Sequence, residues 1–322
     1  MNSSIGDPLK KIKVGVIGAG RWGKKHVDEY SKMRNVGLLW VSDLRKENLD
    51  FCQNKYNVPC VSEDYHDVLS SEVDAVSVCT LNETHFDICR DALKAGKHVL
   101  VEKPLTVNSK EAYKLVNIAK DADRLLAVGH IFRFNNAIVE AKKYVKENFF
   151  DDIFYLRLKW TDFVYPEQVK EIIFDMMPHA FDVMNFLLET WPKKITCFAE
   201  GFRKRKLEDT AHIICEFPNH IITHTETSWT LPEKSRQIDV VGRAHCLKID
   251  CLNQKVKIFY EGKPKGELSV QPNNTLHDEL IHFLDAIGKG SFLSNDGETG
   301  AKVVELLEQT RKSLEKGKTI VL

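Results

Sequence analysis

The chain has 322 residues, 43% of them hydrophobic and 29% charged, a composition typical of a globular protein. A chain of this length can hold two domains, each with a hydrophobic core of its own. The 46 Lys and Arg residues balance the 46 Asp and Glu residues, which argues against a nucleic-acid-binding protein because such domains are basic overall. We interpret the short basic run FRKRK, at 202–206, as a solvated loop.

The sequence gives no sign of a membrane span, a signal region or a cysteine framework. No apolar run approaches the roughly 18 residues that a membrane helix needs, and the opening MNSSIGDPLKKIK has no apolar signal region. None of the eight cysteines forms a C-x-x-C pair, so we interpret them as free thiols in a reducing compartment rather than as disulfides or a zinc site. We therefore expect a cytoplasmic protein that binds neither membranes nor nucleic acid.

The first predicted element is a β-strand at 13–17 that runs directly into a G-x-G-x-x-G motif and then an amphipathic helix. This context predicts a dinucleotide-binding turn. Gly18 allows the tight turn, Gly20 lets the backbone approach a pyrophosphate, and Gly23 lets the helix pack closely on the strand. The helix N-terminus adds unpaired N–H groups for the phosphates. The predicted cofactor contacts in this segment are Gly18, Gly20, Arg21, Trp22 and Gly23.

A second predicted strand, VGLLWVSD, ends at Asp43, which lies 43 − 20 = 23 positions after Gly20. An acid at roughly this spacing, about 20 residues, binds the adenosine ribose hydroxyls and repels a 2′-phosphate. Asp43 therefore favours NAD over NADP as the cofactor. Arg45 is a possible phosphate partner, and the alternative interpretation of Asp43 is a plain turn residue after a strand.

Strands and helices then alternate, with strands at 73–80, 97–102 and 125–130 and helices at 84–96 and 109–123. Such alternation predicts a parallel, doubly wound sheet. Ligands bind such sheets at the carboxyl ends of their strands. We therefore expect one crevice to be lined by the residues after Gly129 and by Thr80, Asn82, Glu102 and Lys103.

Two further motifs lie in this half of the chain: AGKHV at 95–99 ends a predicted helix, and EKP at 102–104 ends a strand. Together with GAGRWG they closely resemble the Gfo/Idh/MocA oxidoreductases, the glucose-fructose oxidoreductase and inositol dehydrogenase family. The resemblance extends over essentially the whole chain, including VGHIFRFNNAI at the expected domain junction and the two closing helices.

The resemblance implies an α/β protein with an N-terminal Rossmann domain, at 10–130, and a C-terminal α+β domain, at 131–322. The second domain is expected to hold a large, mostly antiparallel sheet whose outer face commonly forms the oligomer interface, as a dimer or tetramer. The residues agree independently, because period-2 segments such as IFYLRLKW, TAHIICEF and CLKIDC follow one another from Ile153.

The segment DMMPHAFD places ionisable groups inside an apolar run. Because proline is tolerated in the first helical turn, we predict a helix that begins around 176–178 and ends near Leu188. Asp175, His179 and Asp182 then point to roughly one side of its first two turns. The alternative interpretations are a simple N-cap for Asp175 and a core residue for His179.

The resemblance implies that Asp175 and His179 join Lys103 around the reacting carbon. Hydride transfer from a carbinol carbon to nicotinamide requires a base for the hydroxyl proton. We interpret His179 as that base or acid, Lys103 as the group that polarises the same oxygen, and Asp175 as an orienting residue. The assignment between Lys103 and His179 stays open, and a surface lysine is the alternative for Lys103.

The resemblance implies further contacts. Thr80, Asn82 and His85 belong to the expected cofactor loop, although Asn82 alternatively caps the next helix. Arg133 and Asn135 are expected substrate contacts. We predict no metal, because the possible strand pair His220 and His224 has no evident third ligand and the family requires none.

Two segments, YPEQVKEIIFDMMPHAFDVMNFLL and TETSWTLPEKSRQIDVVG, resemble the subgroup that acts on nucleotide-linked sugars. Lys234 and Arg236 would then meet a diphosphate, or instead lie at the sheet rim or a subunit contact. Met177 and NFFDDI depart from the usual family pattern and leave the substrate open. We favour the 3-position of UDP-N-acetylglucosamine. The alternatives are a free sugar or inositol dehydrogenase and, in another class, a non-catalytic NAD-binding regulator.

Overall fold

The computed structural model describes residues 11–147, 149–165, 171–203 and 207–322. The last three residues of FRKRK and the segment 166–170 therefore lie outside the described residues. The chain forms two compact units. The first unit comprises the residues up to Gly129 together with Leu276–Ala301. The second comprises His130–Thr275 and Lys302–Leu322.

The predicted domain limits of 10–130 and 131–322 did not place residues 276–301 in the first unit. Hydrogen bonds of Asn295 attach this segment to the end of the strand Leu126–Val128. Val128 donates its backbone N–H to the Asn295 carbonyl at 2.8 Å, and the Asn295 amide donates to the Val128 carbonyl at 2.8 Å. Gly300 also lies against the side chain of Val128.

The first unit contains a six-stranded sheet in the order β3-β2-β1-β4-β5-β6, with every pairing parallel. This is the strand order of a dinucleotide-binding Rossmann sheet, and it confirms the predicted fold of this part of the chain. Its strands are β1 (Ile12–Ile17), β2 (Val36–Ser42), β3 (Cys60–Ser62), β4 (Ala75–Val78), β5 (His98–Val101) and β6 (Leu126–Val128). Its helices are α1 (Arg21–Lys32), α2 (Lys46–Tyr56), α3 (Tyr65–Ser70), α4 (His85–Lys94) and α5 (Ser109–Asp121).

The second unit contains a nine-stranded sheet in the order β14-β13-β12-β11-β7-β10-β9-β8-β15. Only the β7–β10 pairing is parallel, which confirms the mostly antiparallel prediction. The strands are β7 (Ile153–Phe163), β8 (Lys194–Glu200), β9 (Thr210–Glu216), β10 (Ile222–Ser228), β11 (Thr230–Gly242), β12 (His245–Asp250), β13 (Lys255–Tyr260), β14 (Lys263–Glu267) and β15 (Ile320–Val321). The remaining helices are α6 (Asn136–Lys146), α7 (Ile172–Leu188), α8 (Thr275–Lys289) and α9 (Gly297–Lys316).

Helix α7 begins earlier than predicted. It starts at Ile172 rather than at 176–178, and Pro178 lies in its interior. Glu171 caps it, because its carboxylate accepts hydrogen bonds from the N–H groups of Ile173 at 3.1 Å and Phe174 at 2.8 Å. An interior proline costs about 3 kcal/mol or more, so the cap and the full burial of Ile172 and Ile173 must outweigh that cost. The interpretation of Asp175 as the N-cap is therefore wrong.

A buried ion pair fixes α7 to the 3₁₀ turn at Ile131–Phe134. The Nε–H of Arg133 donates to Oδ1 of Asp182 at 2.5 Å, and its Nη2 donates to Asn185 at 2.8 Å. Both charged residues are almost fully buried, with 8% of Arg133 and 1% of Asp182 exposed. The guanidinium thus meets the polar side of α7 within the core of the second unit.

Within the described ranges, every helix is too short or too polar to cross a bilayer.

Replacing Asp182 with Asn should lower the free energy of unfolding by about 3–5 kcal/mol, because Arg133 keeps a buried charge without its carboxylate. Urea unfolding followed by circular dichroism measures this change. Arg243→Met is the control, since it removes an exposed ion pair with Asp152 and should change stability by less than about 1 kcal/mol. Equal effects of the two substitutions would contradict a stabilising role for the Arg133–Asp182 pair.

Candidate functional site

The glycine-rich turn is tightly packed at two positions and open at the third. Gly18 has φ +89°, and a Cβ there would lie 2.8 Å from the carbonyl oxygen of Cys79. A Cβ on Gly23 would lie only 1.8 Å from the Gly18 carbonyl oxygen. A Cβ on Gly20, in contrast, would have nothing within 4 Å. The turn therefore closes on itself at Gly18 and Gly23 and leaves open space at Gly20, where a pyrophosphate would approach.

The N-terminus of α1 is equipped for an anion. Gly20 is its N-cap residue, no side chain caps it, and its first turn holds no acidic residue. The first N–H groups of a helix lack intrahelical partners and carry the positive end of its dipole. Arg21 is exposed and Trp22 is half-buried, with the Lys25 ammonium 4.1 Å from the centre of the Trp22 ring.

Asp43, at the end of β2, is hydrogen-bonded through both carboxylate oxygens. Oδ2 accepts from the N–H of Ala19 at 2.7 Å, inside the glycine-rich turn. Oδ1 accepts from the N–H of Arg45 at 2.9 Å and from the Asn48 amide at 3.0 Å. The guanidinium of Arg45 lies 3.7 Å from Oδ1. The carboxylate therefore links the turn to the strand edge where an adenosine ribose would bind.

The loop after β4 is held by internal hydrogen bonds. Thr84 donates to the hydroxyl of Thr80 at 2.8 Å. His85 is fully buried, its Nδ1 lies 2.8 Å from the carbonyl oxygen of Pro104, and burial lowers its pKa. A neutral imidazole that donates from Nδ1 fits this contact. Asn82 does not cap α4, whose N-cap residue is Thr84 without a side-chain bond, so the capping interpretation is wrong.

His26 contacts the Glu-Lys-Pro motif and was not among the predicted site residues. Its Nε2 lies 3.1 Å from Oε1 of Glu102, and both groups are buried. The N–H of Lys103 reaches Oε2 of the same carboxylate at 3.3 Å. A signal for His26 exists in the sequence, because it shares the buried stripe of α1 with Gly23, Val27 and Tyr30. A histidine in such a stripe needs a polar partner.

The catalytic candidates lie in different units. Lys103 follows β5 in the first unit and is half-buried, and its peptide bond to Pro104 is cis. Asp175 and His179 lie on the first two turns of α7 in the second unit, and both are half-buried. The ring of Phe132 meets His179 edge-on, with the ring centres 5.1 Å apart. The three assignments stay predictions.

The two predicted substrate contacts both make bonds within the protein. Arg133 pairs with Asp182, as described above. Asn135 is buried, with Oδ1 accepting from the N–H groups of Ala137 and Ile138 as the cap of α6. Its amide donates to the Cys251 carbonyl at 2.9 Å. These bonds use much of the polar capacity of both side chains, and their role as substrate contacts stays a prediction.

The two histidines that we considered as a metal pair do not share a strand. His220 ends a 3₁₀ turn at Pro218–His220 with φ +61°, whereas His224 lies on β10. His224 instead stacks on His212 of the neighbouring strand, with ring centres 5.8 Å apart. Among the described residues, no group of three or more His, Cys, Asp or Glu side chains is arranged to hold a metal ion.

The first unit fits NAD on three counts. The turn has open space at Gly20, α1 presents an uncapped N-terminus, and Asp43 supplies a carboxylate at the ribose position. Asp43 and the exposed Arg45 act in opposite directions on a 2′-phosphate. The Asp43 carboxylate is held more firmly than the exposed Arg45 side chain, because the Asp43 side chain is only 10% exposed and accepts three hydrogen bonds.

Substituting alanine for Gly23 and for Gly20 should have different effects on stability and on cofactor binding. Gly23→Ala should lower the free energy of unfolding by about 1–3 kcal/mol, because its Cβ must displace the Gly18 backbone. Gly20→Ala should change stability by less than about 1 kcal/mol but weaken NADH binding at least about tenfold. Thermal denaturation and NADH fluorescence titration separate the two effects. Unchanged NADH affinity in Gly20→Ala would refute the pyrophosphate position.

Asp43→Ser should shift cofactor preference toward NADP, because it removes the charge that repels a 2′-phosphate while Arg45 remains. We expect the ratio of kcat/KM for NAD to that for NADP to fall at least about tenfold. Steady-state rates with each cofactor measure the ratio. Asp50→Ser, at an exposed position on α2, is the control and should leave the ratio unchanged.

Comparison with known proteins agrees with this geometry. The model of the oxidoreductase family with an NAD-binding Rossmann fold, Gfo/Idh/MocA, matches residues 12–130, and that of the Gfo/Idh/MocA C-terminal domain matches residues 138–248. UDP-N-acetylglucosamine 3-dehydrogenase of Acidithiobacillus ferrooxidans is 26% identical over 94% of this chain and 97% of its own length. Myo-inositol 2-dehydrogenase of Thermotoga maritima is 25% identical over 97% of this chain and 98% of its own length.

A solved structure of the Acidithiobacillus ferrooxidans UDP-N-acetylglucosamine 3-dehydrogenase has the same fold. Its TM-score is 0.85 at 25% identity, covering 95% of this chain and 98% of that chain. The two matched ranges lie in different units of the protein and together cover most of the chain. The chain belongs to the Gfo/Idh/MocA oxidoreductase family and is an NAD-binding enzyme that oxidises or reduces sugars or polyols.

Proposed function

We propose that the protein transfers a hydride between NAD and a ring carbon of a nucleotide sugar, with the 3-position of UDP-N-acetylglucosamine as the reacting carbon. The observation that carries the proposal is the pair Asp175 and His179, which are half-buried on the first two turns of a helix made mostly of apolar residues. The similarity to a UDP-N-acetylglucosamine 3-dehydrogenase over nearly the full length of both chains supports the choice of substrate.

The glycine-rich turn and Asp43 would hold NAD, which would supply the acceptor for the hydride that leaves the ring carbon. The hydroxyl on that carbon must lose its proton in the same reaction, so a base is needed within hydrogen-bond reach. Nδ1 of His179 is buried, which leaves Nε2 as the nitrogen that takes the proton. Imidazole is suited to this role because it exchanges a proton in the neutral range.

Lys103 supplies a cation to the same oxygen in this scheme. An ammonium beside the hydroxyl stabilises the negative charge that develops as the proton leaves. Its backbone is held by Glu102, whose carboxylate is bound in turn by His26. Asp175 accepts a hydrogen bond from a neighbouring sugar hydroxyl and so orients the ring.

A free polyol is the second candidate substrate, because myo-inositol 2-dehydrogenase of Thermotoga maritima is similar over nearly the whole chain. Inositol and a sugar ring present the same secondary alcohols to His179 and Lys103. A non-catalytic NAD-binding regulator is the alternative of another class. It has no use for a lysine and a histidine at these two positions.

We also infer that the protein forms a homo-oligomer through the outer face of the second sheet. Tyr155, Phe198, Ile214 and Ile222 lie on that face and are 39–62% exposed. Four large apolar side chains on neighbouring strands form a surface that a monomer rarely leaves uncovered. A second copy of the same face would cover it symmetrically.

Purified protein should reduce NAD with UDP-N-acetylglucosamine, as measured by NADH absorbance. Lys103→Met and His179→Ala should each lower kcat at least about 100-fold, as loss of a general acid or base does. Lys110→Met and His66→Gln, at exposed positions of α5 and α3, are the matched controls and should retain full activity.

The substrate panel should include inositols and free hexoses. Turnover confined to those compounds would keep the catalytic residues and refute the nucleotide-sugar substrate. Tight NAD binding without reduction by any compound would favour the regulator.

A further inference from the structure

Arg236 places a charge in a row of core residues. Side chains alternate along a strand, so Arg236 shares its side of β11 with Ile238 and Val240, which are fully buried. Arg236 itself is only 8% exposed. It is therefore not a sheet-rim residue. An apolar side chain would continue this row at lower cost.

The Arg236 guanidinium forms hydrogen bonds to backbone carbonyls on one of its edges. Its Nη1 donates to the backbone carbonyls of Thr161 and Ser235, each at 2.7 Å. Its Nη2 contacts only the sulfur of Met176, at 3.8 Å, and Nε has no acceptor among the described residues. The edge formed by Nε and Nη2 is the one that binds carboxylates and phosphates through two parallel hydrogen bonds.

No ion pair involves Arg236 within the described part of the chain. Among the described residues of this unit, Arg133 and Arg203, whose side chains are 7% and 20% exposed, are both paired: Arg133 with Asp182, and Arg203 with Asp209 at 3.2 Å. The acidic residues whose charges reach Arg236 are Asp162 and Asp175, and burial lowers the pKa of the guanidinium. Asp162 lies 3.7 Å from Lys234. A buried charge that lacks a close counter-ion is costly.

The position of Arg236 connects it to the candidate site. Met176, which its Nη2 contacts, is the neighbour of Asp175 on the first turn of α7. The pairing of β11 with β7 is also irregular here. Four residues, 231–234, lie between Thr230 and Ser235 on β11, whereas only Asp162 lies between their β7 partners, Phe163 and Thr161. This irregularity brings Lys234 toward Asp162, on the strand that Arg236 also bonds.

We propose that Arg236 is a specificity-determining residue that binds an oxyanion of the substrate through Nε and Nη2. The oxyanion is the diphosphate of a nucleotide sugar or a carboxylate on the sugar. This inference rests on the proposed function, because it assumes that the substrate binds beside Asp175. A substrate oxyanion supplies the counter-charge that no described residue provides to this guanidinium as an ion pair.

Calorimetric titration of the NADH-bound protein tests the proposal. The ligands are UDP-N-acetylglucosamine, UDP and glucuronate, with uridine and N-acetylglucosamine as neutral counterparts. Arg236→Met should weaken binding of the charged ligand that Arg236 contacts at least about 30-fold. It should change the affinity for the neutral ligands by no more than about threefold. The affinity of Arg236→Lys for that ligand should lie between those of wild type and Arg236→Met, because an ammonium cannot form two parallel hydrogen bonds. Arg236→Lys is the variant to test if Arg236→Met does not fold. Arg243→Met is the matched control for loss of an arginine.

The pattern of loss identifies the oxyanion. A selective loss with UDP and UDP-N-acetylglucosamine assigns the diphosphate, whereas a selective loss with glucuronate assigns a sugar carboxylate. Equal weakening of charged and neutral ligands, or wild-type protein that binds no charged ligand more tightly than its neutral counterpart, would overturn the proposal. Arg236-dependent binding without NAD reduction would leave this inference standing while the proposed function fails.

Discussion

The contact between Gly23 and the carbonyl of Gly18 determines where α1 lies against β1. The arrangement of the cofactor-binding turn in the first unit depends on it. No side chain larger than hydrogen fits between them, since a Cβ on Gly23 would be 1.8 Å from that oxygen. The close approach places the uncapped start of α1 beside the end of β1, and Asp43 bonds Ala19 within the same turn. Backbone N–H groups and a carboxylate are thereby fixed before any ligand arrives, which is the preorganisation that binding requires.

Five of the six strands of the first sheet could be predicted from the sequence, because their signals are local. Short β-branched strands, glycine positions and helix periods each identify an element without knowledge of its neighbours. β14 carried no such signal, since all five of its residues are exposed and two of them are lysine. β15 is only two residues long. Both are edge strands, whose existence is decided by the adjacent strand rather than by their own pattern.

The site was only partly predictable, and α7 shows the physical reason. Proline in the sequence favours a helix start, but the cap at Glu171 and the burial of Ile172 and Ile173 extend the helix four residues earlier. Tertiary packing thus overrode a local preference. His26 and Glu102 meet across 76 residues of chain. Such a pair follows from the sheet topology and cannot be read from spacing along the sequence.

Three arginines of low exposure in the second unit, Arg133, Arg203 and Arg236, differ in whether a carboxylate of that unit pairs with them. Arg133 and Arg203 each meet a carboxylate within the same unit. Selection for stability alone would favour such a partner, or an apolar residue, at every buried cation. Arg236 contacts backbone carbonyls on one edge and, within the described part of the chain, a methionine sulfur on the other. The carbonyls hold the guanidinium plane in place, and the second edge faces the first turn of α7. A fixed cation beside Asp175 is the arrangement expected of a group that selects its ligand by charge.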